Sequence, residues 1–416
     1  MKSQKNICIT NFDIDLIRFS RINKELILEL SKKFKEIYIL NLHNLRLVYK
    51  TKYLSKKKDQ KLFPKNFKIV DIKNSNELIK FSKNKKLIII LNGITRSVID
   101  FKIFYLFKKI KAKLVMISIT GQWGSKIFID IPFKNILVGH KHLVLKGFYY
   151  VYRILTILNI FSKINLLIES SKVNINIFKN GFSRKFETLF PFLKISLYRK
   201  IHHVNSNVFD AYYMMKNKKI KKSKNDYILY IDSPIVSEDR IQREGPVSSE
   251  IINKYYNNLF RALSLISETF KKKILVSLHP SSIKSFTKIK KKFLSKSRNL
   301  VISKNRTSDL VYDASIVLFS ISSAVLNAVI LKKKIISLRS KYFGEYNLKV
   351  NDKNTKGINC PFLNIDENFK ISKNEINFKF KKSISSYDKI IKQRLTNGTK
   401  KPSYIEIVEV LKRENF

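Results

Sequence analysis

Two short stretches of the chain place an imidazole and several hydroxyls where apolar runs stop. In "KKKILVSLHPSS" (271–282) the run Ile274 to Leu278 ends at His279 and Pro280, followed by Ser281 and Ser282. In "SIVLFSISSAVLNAVILKKKIISL" (315–338) an apolar run ends at Ser320, and Ser322 and Ser323 precede a second apolar stretch beginning at Ala324. Proline fixes its own φ and biases the preceding residue away from helical angles, so Pro280 holds His279 extended at a strand end. A serine opening the next helix stands among backbone amides that lack acceptors, a setting that favours an anion. An imidazole and hydroxyls so placed suit a phosphate or a carboxylate. Each piece also has a plainer reading: a histidine in an exposed turn, and serines that cap helices. Three serines in so apolar a region exceed what one cap needs, and the two stretches together are more specific than either alone.

Other residues with chemistry lie after neighbouring apolar runs. In "YIDSPIVSEDRIQREG" (230–245) Asp232 closes a run and Ser233-Pro234 turns the chain, placing a carboxylate to contact a ribose or act as a base, a solvated loop carboxylate being the plainer reading. "TGQWGSK" (120–126) combines Gly121 with Trp123, the only tryptophan, which suits stacking on a sugar or packing between lobes. Asp13 and Asp15 in "NFDID" follow the first apolar run, where a general base would be useful and a solvated turn is the plainer reading. His202 and His203 occupy opposite faces of a strand and lack metal-ligand partners at recognisable spacing, so no metal is expected.

The elements that must position these residues follow from periodicity. Apolar runs read as strands at 6–10, 36–42, 68–72, 87–92 and 113–119, and again at 226–232, 273–278, 299–303, 315–320 and 333–338. Helical patterns fill the gaps: 20–34, with its stripe Ile22, Leu26, Ile27 and Leu30, then 248–270, 281–295, 307–313 and 322–331. The apolar segment 148–168 reads as a buried or interfacial helix, with membrane-surface contact as a second reading. The segment "DKNTKGINCPFLN" (352–364) reads as a loop. Strands alternating with helices predict α/β architecture: two Rossmann-like, doubly wound domains facing a cleft. The polar, aperiodic stretch 214–226 reads as a linker, giving domains 1–213 and 227–378 and a helical tail 379–416. Ligands in such sheets bind outside the carboxyl ends of strands, where His279, the serines, Asp232, Asp13, Asp15, Gly121 and Trp123 fall. No dinucleotide fingerprint or P-loop sequence occurs, so neither chemistry is expected, and no cofactor is implied.

Composition narrows the class further. The formal net charge of +52 over 416 residues has three readings: nucleic acid, an anionic membrane surface, or a lysine-, asparagine- and isoleucine-rich composition inherited from base bias. The lysines are spread along the chain, and none of the usual nucleic-acid motifs appears, so no nucleic-acid partner is expected. The two cysteines, Cys8 and Cys360, form no disulfide framework and suit a reducing, cytoplasmic setting. No run reaches the length of a membrane span, and Arg153 and Lys163 interrupt the nearest candidate. A cytoplasmic protein, peripheral to the inner membrane if the basic surface engages it, is the expectation.

The pattern "YILYIDSP…NKYYNNLFRALSLISETFKKKILVSLHPSS…SIVLFSISSAVLNAVILKKKIISL", spanning about residues 200–345, resembles bacterial surface-polysaccharide glycosyltransferases of GT-B type. The histidine-proline corner and serine pair are similar to those of sialyltransferases and capsule transferases that use CMP-activated nonulosonic acids or Kdo. The resemblance implies that His279, Pro280, Ser322 and Ser323 bind the nucleotide phosphate, and that the flanking Ser281 and Asp232 belong to the donor site. It also implies inverting transfer, without a metal, from a nucleotide-sugar to a glycan or lipid-linked glycan. Such a reaction serves capsule, lipooligosaccharide or O-antigen synthesis, with a carboxylate base on the N-terminal lobe. Asp13 and Asp15 are named for that base from their position, and Trp123 and Gly121 for the acceptor side. The acidic-acidic-glycine triplet of sialyltransferases is not found in the N-terminal half. Its lack favours the alternative of a non-catalytic protein that binds a nucleotide or polysaccharide on the same fold.

Overall fold

The computed structural model describes residues 5–11, 23–42, 57–83, 85–91, 98–118, 154–156, 158–170, 198–217, 226–233, 245–279, 300–303, 305–368 and 370–416, with isolated positions between them. Asp13, Asp15, Gly121, Trp123, Pro280 and Ser281, the 281–295 helix and residues 218–225 lie outside the described residues. Two compact units are present: residues 1–120, 140–206 and 399–416 form the first, and residues 121–139 and 207–398 the second.

The first unit carries seven strands: β1 (Lys5–Asn11), β2 (Ile37–Asn41), β3 (Phe67–Asp71), β4 (Lys86–Leu91), β5 (Lys113–Ser118), β6 (Ile164–Ser170) and β7 (Tyr198–Val204). Their order is β3-β2-β1-β4-β5-β6-β7, and every pairing is parallel. Strands covered on both faces read as continuous apolar runs, which is how "LIII" and "IYIL" appear. Alternate residues serve opposite cores. Ile7, Ile9, Ile88 and Ile90 pack under helices Lys24–Lys33 and Ser403–Arg413. Cys8, Leu40, Ile89 and Leu114 pack under helix Val98–Lys109 and Leu78 of helix Ser75–Ser82.

The second unit repeats the plan with β8 (Ile228–Ile231), β9 (Ile274–Ser277), β10 (Leu300–Ser303), β11 (Ile316–Phe319), β12 (Lys334–Arg339) and β13 (Phe362–Asn364). The order is β10-β9-β8-β11-β12-β13, again wholly parallel. Helix Ser249–Phe270 covers one face with Tyr255, Leu259, Leu263 and Ile266. It is capped by Ser248, whose hydroxyl accepts the Ile251 N–H at 3.3 Å, and ends at Lys271 in the left-handed region. Helices Asn207–Asn217, Thr307–Asp313 and Leu326–Ile330 pack on the other face. Both sheets reverse strand order beside their first strand, so the fold is α/β with two Rossmann-like domains, the GT-B type.

Several expectations are corrected. Within 148–168, residues 164–168 belong to β6, where Leu166 and Ile168 join one core and Leu167 between them is buried too. A helix cannot bury both sides that way at two-residue spacing. The 352–364 segment is not a loop: helix Glu345–Ile358 runs into it, and β13 closes the sheet. That helix buries three asparagines and a threonine, with apolar Ile358 only at its end, which hides it from a hydrophobic count. The supposed linker begins inside helix Asn207–Asn217, where Val208 and Met215 are buried. The supposed tail is shared: helix Lys373–Ile390 packs in the second unit and helix Ser403–Arg413 in the first.

The return passage is fastened to the outward one. Asn205 is buried; its N–H donates to Glu406 Oε2 at 2.7 Å, and its amide donates to the carbonyls of Thr399 and Lys401 at 3.2 and 2.5 Å. Thr399 Oγ1 in turn lies 2.5 Å from Glu406 Oε1. Among the described residues no helix is long and apolar enough to cross a membrane. Cys8 and Cys360 are both free and buried, and burial pushes each thiol up to about 12. Alkylation of the native chain at neutral pH should therefore be slow at both, and rapid labelling of either would contradict this packing.

Candidate functional site

The strand order of the second sheet reverses between β8 and β11, and the residues just beyond their carboxyl ends are joined by hydrogen bonds. Asp232 follows β8 and is 4% exposed. Its N–H donates to the Ser277 carbonyl at 2.9 Å, and its Oδ2 accepts the His279 N–H at 3.3 Å. Ser233, also buried, accepts the Ile321 N–H at its hydroxyl, 3.4 Å away. One dipeptide thus holds the loop after β9 on one side and the loop after β11 on the other. Below it, Tyr230 and Tyr255 are buried with their hydroxyls 3.5 Å apart, and Tyr255 meets the Phe343 ring edge-on. Burial, with the Asp232 charge as a lesser cause, holds both phenols well above their ordinary value. They therefore present neutral hydroxyl groups beneath the carboxylate.

His279 is exposed at the carboxyl end of β9, its backbone fixed by Asp232. Ser322 accepts the Ala324 N–H at 3.3 Å, capping the turn Ser323–Val325 that leads into the short helix Leu326–Ile330. Its hydroxyl proton remains available for a further acceptor, and Ser323 is exposed beside it. Asp232, His279, Ser322 and Ser323 therefore share one end of one sheet, with Asp232 bonded to the His279 N–H and Ser233 to the Ile321 N–H that precedes the serines. The aspartates 13 and 15, Gly121, Trp123, Pro280 and Ser281 named in the sequence lie outside the described residues.

Sequence reading missed the residues that hold the β11 loop from beneath. Asn347, Asn351, Asn354 and Thr355, at helical spacing, form the buried face of helix Glu345–Ile358. The Asn351 amide donates to the Ser320 carbonyl at 2.5 Å, to Ser337 Oγ at 3.1 Å and to the Leu338 carbonyl at 3.2 Å. The Thr355 hydroxyl lies 2.7 Å from Ser337 Oγ and 2.8 Å from the Asn351 carbonyl. The helix opens at Gly344, whose φ of 87° is the left-handed region that glycine adopts without strain. The spacing of asparagine and threonine in "NLKVNDKNTK" was the available signal, and only a polar-face count would have found it.

The first sheet holds a second missed group. Glu169, penultimate in β6, is 1% exposed, and His203 is its register partner in β7. Glu169 Oε1 and His203 Nδ1 lie 3.8 Å apart, too far for a hydrogen bond. Burial raises the Glu169 carboxyl from 4.5 to about 7. The folded state thus binds a proton that the unfolded chain has released between those values, so stability falls as pH rises through that window. Glu169→Gln should equal wild type near the unfolded pKa and exceed it by about 3 kcal/mol at slightly alkaline pH. Denaturant titrations across the range check this; parallel curves for the two proteins would refute it.

No family model matches the chain, and no curated protein matches it. Solved structures of the same fold do. A Phytolacca americana UGT2 complexed with UDP-2-fluoro-glucose and pterostilbene is similar at TM-score 0.54 and 10% identity, over 99% of this chain and 100% of that one. The wall teichoic acid polymerase TagF is similar at TM-score 0.52 and 12% identity, over 99% of this chain and 89% of that one. The UDP-GlcNAc 2-epimerase of Neisseria meningitidis, bound to UDP-GlcNAc, is similar at TM-score 0.51 and 13% identity, over 99% and 100%. At these identities the likeness establishes the GT-B fold.

Proposed function

We propose that this chain is a glycosyltransferase that uses a nucleotide-activated sugar, with a CMP-linked nonulosonic acid or Kdo-like donor favoured. The acceptor is a glycan or lipid-linked glycan of the bacterial surface, met at the cytoplasmic face of the inner membrane. The observation that carries the reading is the Asp232–Ser233 dipeptide at the switch point, bonded to the loops that bear His279 and Ser322. Crevices at such switch points take nucleotides, and neighbours of this fold hold UDP-sugars. The preference for a CMP donor rests on the histidine-proline corner and serine pair.

In this reading the His279 imidazole and the hydroxyls of Ser322 and Ser323 donate to the donor phosphate, with Pro280 and Ser281 completing the corner. As the glycosidic bond to phosphate breaks, negative charge grows on the leaving oxygen. Donors already in place stabilise that charge more than they stabilise the bound donor. A carboxylate of the first unit, Asp13 or Asp15, takes the proton of the acceptor hydroxyl as it attacks from the opposite side, inverting the anomeric centre. Trp123 and Gly121 line the acceptor.

Thermal-shift and calorimetric titrations with CMP, UDP, GDP and CMP-sialic acid test this, on wild type and His279→Ala. Saturable stabilisation by cytidine nucleotides, weakened about tenfold or more in the variant, is expected. Stabilisation by UDP alone would change the donor, and indifference to every nucleotide would remove the site. Consumption of the donor with an acceptor extract separates a transferase from a protein that only binds.

A further inference from the structure

The first unit carries a surface that the proposed chemistry does not use. Residues 154–161 lie along helix Val98–Lys109: Phe161 meets Phe104 at 6.3 Å, and Lys108 Nζ donates to Asn159 Oδ1 at 2.6 Å. Leu155 and Phe161 turn into the core. The alternate side chains turn out: Ile154 is 40% exposed, Leu158 62% and Ile160 40%, and Tyr105 of the adjoining helix is 51% exposed. Four large apolar side chains exposed on two contiguous segments are unusual on a surface that only meets water.

Past Asp100 of the same helix, the charged residues of these segments are all basic. Lys102 and Lys109 are exposed at helical spacing on either side of Tyr105, and Lys111 is exposed just past the helix end. No acidic residue occurs in 102–113 or 154–163. A second copy of the chain would bring the same lysines against these, so self-association through this face is opposed. A surface of apolar side chains beside long cationic ones has the chemistry of an interfacial anchor. The apolar groups enter the acyl boundary, and the lysine stems lie along it with their ammonium groups at the phosphates.

We infer that Tyr105, Ile154, Leu158 and Ile160, with Lys102, Lys109 and Lys111, dock the chain on an anionic bilayer surface. This deepens the peripheral placement proposed above by naming the face that makes contact, and it requires nothing of the donor site. Neither half suffices alone. Each lysine adds a modest, salt-screened attraction, and four half-exposed apolar groups give weak, reversible insertion.

The test is sedimentation of the full chain with vesicles of phosphatidylcholine, with or without phosphatidylglycerol, at low and high salt. Wild type should bind the anionic vesicles and not the neutral ones. Leu158→Gln with Ile160→Gln should weaken that binding several-fold at either salt. Lys102→Gln with Lys109→Gln and Lys111→Gln should weaken it on the order of a hundredfold at low salt and remove most of the salt dependence. All these side chains are exposed, so nucleotide-dependent stabilisation should be as in wild type for both variants. Its absence in wild type would refute the donor site while leaving the vesicle result to stand. Equal binding to neutral vesicles, or variants that bind like wild type, would overturn the inference. Retention on single-stranded RNA that needs the lysines and ignores Leu158 and Ile160 would also overturn it, in favour of a nucleic-acid surface.

Discussion

A variant ending at Gly398 should lose the first unit and keep the second. The 18 residues removed contribute Ile407, Val408, Val410 and Leu411, all buried against Ile27, Leu30 and the strands of the first sheet. Returning four such side chains to water forfeits about 6–12 kcal/mol, comparable with the whole stability of an ordinary domain. The loss extends to polar groups. The Asn205 N–H, buried, loses Glu406, and Lys200 and His202 lose Glu414, which lies 2.6 and 2.8 Å from them. Hydrogen exchange with peptide resolution reads the outcome. Amides of β1, β2 and β4 should exchange freely while β8, β11 and β12 stay protected. Protection retained throughout the first sheet would mean that the closing helix is dispensable.

Asn351→Ala should be the most damaging single substitution among the polar residues of the second unit. One amide satisfies the Ser320 and Leu338 carbonyls, both buried, so its removal strands two acceptors at once and leaves Ser337 Oγ with Thr355 alone. At about 1–3 kcal/mol for each buried acceptor left alone, the loss is roughly 3–5 kcal/mol after partial relaxation. Thr355→Val, which removes one hydroxyl from the same network, should cost about 1 kcal/mol. The two differ in function as well. Asn351 holds the Ser320 carbonyl and so fixes the entry to Ser322 and Ser323. Nucleotide affinity should therefore fall with Asn351→Ala even at temperatures where the variant is folded, and hold with Thr355→Val. Urea melts and nucleotide titrations together decide this; a destabilised Asn351→Ala with unaltered nucleotide affinity would make the asparagine a core residue only.

How far the sequence disclosed the fold depended on which face each element hides. Strands buried on both sides, such as Ile88 to Leu91 and Ile316 to Phe319, stood out because burial leaves no polar alternation. Helix Ser249–Phe270 stood out through its long helical period. Helix Glu345–Ile358 did not, because its inward face carries Asn347, Asn351, Asn354 and Thr355. The strand Ile164–Ser170 was merged with the apolar residues before it, because only Asn159, Ser162 and Lys163 interrupt the run. At the site, Asp232, His279 and the serines were legible from where apolar runs end. The bonds that tie them were not, since the Ser233 hydroxyl reaches Ile321 across 88 residues of chain. Glu169 was hidden for a related reason: its burial depends on strands paired far from it in sequence.

The fastening of Asn205 to Thr399, Lys401 and Glu406 also bears on how the molecule is made. During synthesis the seven strands of the first sheet leave the ribosome ahead of residues 207–398 of the second unit, yet the helix that covers one of their faces follows them. The second unit is complete in sequence once Gly398 has emerged and can fold while still tethered. The earlier-made sheet must wait with Ile7, Ile9, Ile88 and Ile90 incompletely covered until residues 403–413 arrive. The order of assembly thus runs opposite to the order of translation. The nascent N-terminal half is accordingly the stretch that most needs a chaperone during that interval.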